Sequence, residues 1–211
     1  MVKIIIAYDN NDGLDDYFSR CQADISSFFD EHLDIILDPP ILIPGSQCNS
    51  TYINSEIPKH NSSSFLFIGY SHGNPTSLRC NGGSYVRKGL NTNLFSKSFF
   101  YTNSCLSGQE LGVELIREGC YAFIGFVEEI VTFTNEYYNS VSINCENSGL
   151  KTFMVDKIPV TVAFERMKRY FTTKIDKYES IDPLFAAQLV KHREALILHT
   201  SKDISKEDLI C

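Results

Sequence analysis

No stretch of this 211-residue chain approaches the roughly eighteen consecutive apolar residues of a membrane span. Lys and Arg nowhere cluster. With a formal charge of -7 and a pI near 5.2, the chain lacks the basic stripe that nucleic acid demands. The opening segment Met1 to Asp9 carries one Lys and an apolar run too short for a signal-peptide core, so a cytoplasmic location is expected. No two of the seven cysteines (21, 48, 80, 105, 120, 145, 211) form Cys-x-x-Cys, and none stands at zinc-ligand spacing to a His. Their odd number and spacing argue against a disulfide framework and a structural zinc, and no cofactor motif is visible. Internal repeats and low-complexity tracts are also absent. What is present is an ordinary globular balance, 43% apolar and 21% charged, at a length that can bury one sizeable core without staples.

The order of elements predicts an α/β protein with a mostly parallel sheet flanked by helices. Val2 to Tyr8 is an apolar, β-branched run bounded by Asp9-Asn-Asn-Asp-Gly13, which suits a strand buried on both faces. Leu14, Tyr17, Phe18, Cys21, Ile25, Phe28, Phe29 and His32 then recur at three- and four-residue steps, the apolar face of a helix. Leu33 to Leu37 reads as a short second strand, and residues 39 to 63, rich in Pro, Gly, Ser and Asn, as mostly loop. Ser64 to Tyr70 is a third strand, Ser98 to Thr102 a fourth and Cys120 to Val127 a fifth. Leu78 to Val86, with its Asn-Gly turn, predicts a hairpin between the third and fourth strands. A helix is expected from Gln109 to Arg117. Val160 to Ile175 marks another, and Pro183 opens one running into Leu196 or beyond. The expectation is one domain over 1–211, with a core at 1–127 and a helical extension at about 159–205.

Ligands of open parallel sheets bind outside the carboxyl ends of the strands. At that edge the third strand delivers His72-Gly73 and the fourth delivers Cys105, followed by Leu-Ser-Gly and a helix. A thiol needs a neighbouring base to act as a nucleophile at neutral pH. The amides of Gly73 and Cys105 would hold the oxyanion of a tetrahedral intermediate, and Gly73 would give a substrate carbonyl room beside the main chain.

These residues resemble the caspase-fold cysteine peptidases, a group that includes metacaspases, gingipain-like enzymes, separases and the bacterial CHAT proteins. The likeness lies in Phe67-Ile-Gly-Tyr-Ser-His72-Gly73 and Phe100-Tyr-Thr-Asn-Ser-Cys105-Leu-Ser-Gly108. Metacaspases are similar locally, with Tyr-Ser-Gly-His-Gly and Asp-Ser-Cys-His-Ser-Gly. The segment from Leu111 to Phe126 is similar to the helix, Gly-Ala turn and apolar strand that follow the cysteine of CHAT proteins. By order of elements the resemblance covers residues 1 to 127. The His-to-Cys interval of 33 residues is shorter than the ~50 of caspases, and their Gln-Ala-Cys signature is missing. Asn103 stands where metacaspases carry an acidic residue that helps bind a basic P1 side chain.

The resemblance implies a cysteine endopeptidase with His72 as base and Cys105 as nucleophile, acting on a specific protein partner in a bacterial antiviral-defence or cell-death setting. It places the loop after the first strand, with Asp9 and Asp12, near the pocket for the P1 side chain, and Glu128 follows the fifth strand at the same edge. Those acids would favour a basic P1 residue, although solvated loop carboxylates are an equal reading. His32, His60, His192 and His199 read as surface or packing residues, Cys120 as core, Cys145 as an exposed thiol, and Ser104 and Ser107 as turn or cap residues. The alternative is a non-catalytic caspase-like scaffold that binds a partner protein through the same edge.

Overall fold

The computed structural model describes residues 2–10, 15–32, 39–133 and 135–210. The expected strand at Leu33–Leu37, residue Leu14 and the candidate Asp12 lie outside the described residues. Six strands form the main sheet, in the order β2 (Ile41–Pro44), β1 (Ile4–Tyr8), β3 (Phe65–Tyr70), β7 (Ser98–Thr102), β8 (Ala122–Phe126) and β9 (Leu196–Thr200). The first five run parallel, and β9 closes the edge antiparallel to β8. A second, three-stranded antiparallel sheet is built from β4 (His72–Asn74), β5 (Ser77–Cys80) and β6 (Gly83–Arg87). It contains the expected hairpin.

Side chains alternate along each central strand between two buried faces, which explains the near-continuous apolar runs. In β3, Leu66, Ile68 and Tyr70 face one core, while Phe65 and Phe67 face the other. The first core is completed by α1 (Asp15–Glu31), α4 (Glu136–Asp156), α5 (Val160–Glu179) and α6 (Pro183–Ala195). Helix α1 buries Tyr17, Phe18, Cys21, Ile25 and Phe29, the stripe its spacing predicts. The second core is completed by α2 (Ser50–Glu56), α3 (Leu111–Arg117) and the small sheet. Among the described residues, no helix is long and apolar enough to cross a membrane.

Residues 39–63, expected as mostly loop, contain β2 and α2, which Ile43, Ile53 and, just after α2, Ile57 anchor in the second core. The expected helical extension also differs. Helix α4 begins at Glu136, well before 159, and β9 is a strand within the segment expected to be helical. Leu196 to Thr200 pairs with β8 because that strand would otherwise leave an open edge.

Candidate active site

Strands β3 and β7 are parallel neighbours, with Gly69 opposite Thr102, so the turns that follow them leave the sheet at one edge. Buried hydroxyls tie these turns together. Thr102 Oγ1 donates to the Gly69 carbonyl (2.7 Å), Ser104 Oγ to the Ser71 carbonyl (2.7 Å) and Ser107 Oγ to the Ser104 carbonyl (2.7 Å). Ser71 Oγ also meets the Tyr85 hydroxyl at 2.8 Å. Ser104 and Ser107 are thus turn residues, and each buried hydroxyl has a partner.

Gly73 packs main chain against main chain on the Cys105 segment. A Cβ at position 73 would lie 2.5 Å from the Cys105 carbonyl oxygen and 3.2 Å from the Cys105 nitrogen. Residues 71 and 73 therefore both touch the 104–105 segment, and His72 is carried between them. The space a side chain would need at 73 is filled by Cys105 itself, where the sequence suggested room for a substrate. From the other side, Phe18 of α1 meets the His72 ring edge-on, with centroids 5.3 Å apart. His72 and Gly73 line a cavity of about 330 Å³ together with Arg79, Cys80, Asn81 and Gly82.

Cys105 is half-buried and, among the described cysteines, the one that is not fully buried. Its sulfur accepts the Ile130 N–H at 3.4 Å and lies 3.9 Å from the Ile130 carbonyl oxygen. Burial pushes the Cys105 thiol up. The Ile130 contact opposes this, while the negative charges of Glu129 and Glu146 add to it. In this arrangement the sulfur keeps its proton at neutral pH. The turn after it is tight: Leu106 adopts φ +60°, a left-handed conformation that side chains disfavour, and its N–H donates to the Glu128 carbonyl at 3.3 Å.

The remaining candidates separate. Asp9 is buried at the end of β1, where its N–H donates to the Tyr70 carbonyl at 2.8 Å. Cys80 stands between Asp9 and the cavity; contact with Cys48, then burial, then Asp9 push its thiol up. Glu128 is exposed and reaches the turn after Cys105 through its carbonyl. Beyond His72, the charged side chain on the described cavity wall is Arg79, whose Nη2 donates to the Gly82 carbonyl at 3.2 Å. Asn103 points inward, its Nδ2 3.3 Å from Cys21 Sγ and 3.4 Å from Glu146 Oε2. Cys145, expected to be exposed, is buried in α4, and burial pushes its thiol up. Cys120 is core as expected, with burial pushing it up to about 12. Among the described residues, no group of three His, Cys, Asp or Glu side chains could hold a metal ion.

Sequence reasoning missed the residues that surround His72 and Cys105. Ile130 acts through its main chain, which leaves no mark on the sequence. Phe18 was visible only as part of a helical stripe. His192 and Glu146 meet across 46 positions, with Nδ1 3.4 Å from Oε1, a pairing that only the fold creates. No family model matches the chain, and no curated protein matches it.

Proposed function

We propose that the protein is a cysteine endopeptidase of the caspase-like type, with Cys105 as nucleophile and His72 as general base. The observation that carries this reading is the main-chain contact of Gly73 on Cys105, which joins the two turns at the carboxyl edge of β3 and β7. In the reaction, His72 takes the thiol proton as Cys105 Sγ bonds to the scissile carbonyl carbon. The amides of Gly73 and Cys105 stabilise the resulting oxyanion. Collapse breaks the C–N bond, and His72 passes its proton to the leaving amine. Water then attacks the thioester with His72 again taking a proton, which releases the carboxylic acid and restores the thiol.

The substrate in this reading is a specific protein partner, and the likeness to CHAT-like proteases supports a bacterial defence or cell-death setting. A basic P1 residue finds an exposed acid in Glu128 at the same sheet edge, since Asp9 is buried, and an acidic one finds Arg79 on the wall beside His72. The scaffold reading has one observation in its favour: the sulfur of Cys105 is engaged by the Ile130 main chain.

Digestion of a proteome-derived peptide library separates these readings. Cleavage by the wild type that vanishes in both Cys105→Ala and His72→Ala supports the peptidase, and the cleaved sequences give P1. Equal patterns in all three proteins refute it.

A further inference from the structure

The segment 128–133, which follows β8 without regular secondary structure, lies against the nucleophile and is tied down at each end. At its start the Glu128 carbonyl accepts the Leu106 N–H (3.3 Å), and in its middle Ile130 meets the Cys105 sulfur. One residue on, the Val131 N–H donates to His192 Nε2 at 3.0 Å. At its end, the Phe133 N–H donates to Asn139 Oδ1 at 2.7 Å, and Asn139 Nδ2 donates back to the Phe133 carbonyl.

His192 is wholly buried on α6. With Nε2 occupied as an acceptor, the ring proton sits on Nδ1, which faces Glu146 Oε1 at 3.4 Å and Ser142 Oγ at 3.4 Å. Glu146 is itself wholly buried and receives the Tyr17 hydroxyl at 2.6 Å. The same carboxylate reaches Asn103, two residues before the nucleophile, and Tyr17 precedes the Phe18 that packs on His72. Buried polar groups are costly unless they are satisfied, so this cluster fixes its members in one arrangement.

We propose that His192 is a positioning residue: it pins the 128–133 strap across Cys105 and holds the nucleophile in a covered, resting state. The proposal rests on reading Cys105 as the nucleophile. The ring presents one acceptor to one main-chain N–H, and that N–H belongs to the residue next to the one covering the sulfur. Freeing Val131 releases the cover without altering the sheet, the hydroxyl ties of the turns or His72. Water then reaches the sulfur and favours its ionised form. The titratable groups whose charge acts on Cys105 are Glu129 from the strap and Glu146 from α4, and His72 adjoins the Gly73 that packs on Cys105. Among the described residues, the titratable group in contact with His192 is Glu146; the Val131 N–H, Ser142 and the rings of Phe126 and Phe133 also meet it.

The test is the rate of Cys105 alkylation by iodoacetamide across pH 6 to 10, read by peptide mapping, in the full-length protein. His192→Leu removes the acceptor and keeps the bulk; His192→Gln restores an acceptor near the position of Nε2. Expected for His192→Leu is a rise of roughly fivefold at pH 7, the equilibrium worth of one hydrogen bond, with the pH midpoint moved down. His192→Gln stays near the wild type. Unchanged reactivity in His192→Leu, or a slower rate with a raised midpoint, overturns the proposal. Labelling of buried Cys145 at the same rate would mark a lost fold. Val131→Pro, which deletes the N–H and leaves the buried pair in place, then decides by the same criterion. His72→Ala in the same series tests the dyad separately: if it leaves the wild-type rate untouched while His192→Leu raises it, the strap stands and the dyad fails.

Discussion

At the scale of single residues, position 73 has no freedom. The nearest atoms to a Cβ there are the Cys105 carbonyl oxygen at 2.5 Å and Ser104 Cβ at 2.7 Å, and a carbonyl in a tied turn cannot rotate away. Gly73→Ala should therefore push the two turns apart, costing about 1–3 kcal/mol as overpacking does. Thermal unfolding would register the loss, and Cys105 alkylation would lose its dependence on His72. Tyr17→Phe is a second residue-scale case. It removes the hydroxyl that donates to Glu146 Oε1 and leaves a buried carboxylate with one donor fewer, at a cost of about 1–3 kcal/mol. A denaturation midpoint equal to that of the wild type would show that the buried cluster contributes nothing to stability. That the turns carrying His72 and Cys105 leave neighbouring strands at one edge was legible, because each follows an apolar strand and adjoins a glycine-bearing turn. The residues that condition Cys105 were not: a main-chain N–H, a histidine on α6 and a glutamate on α4 share no local pattern.

At the scale of elements, the strands that could be read were those buried on both faces. β1, β3, β7 and β8 are rich in Ile, Phe and Tyr and bounded by turn residues, and their placement follows from that apolar, aromatic run. Helix α4 escaped because its inward face is partly polar. It buries Asn139, Ser142, Glu146 and Asn147 beside Ile143, Leu150, Phe153 and Met154, so no apolar stripe marks it. These polar residues serve the interior: Asn147 accepts the Tyr70 hydroxyl at 2.7 Å and donates to Asp24 at 2.7 Å. β9 escaped because Leu196 continues directly from α6 with no breaker, and pairing with β8 decided its conformation. The C-terminal helices share the core of the sheet, as Phe153 meeting Phe99 edge-on at 4.9 Å illustrates. Phe153→Ala should cost about 3–5 kcal/mol and lower one unfolding transition as a whole. Calorimetry that showed two separate transitions, only one of them shifted, would contradict this.

At the scale of the molecule, burial holds many acidic hydroxyls and thiols in their neutral form. Tyr17, Tyr70, Tyr85 and Tyr101 are all raised well above 10.0, chiefly by burial, and Cys21 is raised well above 9.0 for the same reason. Once unfolded, these groups ionise at their ordinary values, so above that range the unfolded state binds fewer protons than the folded one. Stability is then full below about pH 9 and falls as pH rises through 9 and 10, by about 1.4 kcal/mol per pH unit for each group titrating. A melting temperature that holds level from pH 8 to 11 would contradict this. If the two turns at one sheet edge bring His72 to bear on Cys105, the thiol's reactivity depends on the imidazole. Exposure alone already favours Cys105 over the buried thiols, so preferential labelling proves nothing by itself. The decisive quantity is the rate of iodoacetamide labelling at Cys105 near pH 7 in the wild type against His72→Ala, both folded. A rate that falls roughly tenfold or more without the imidazole is the expected result. An equal rate in the two proteins would contradict the dyad.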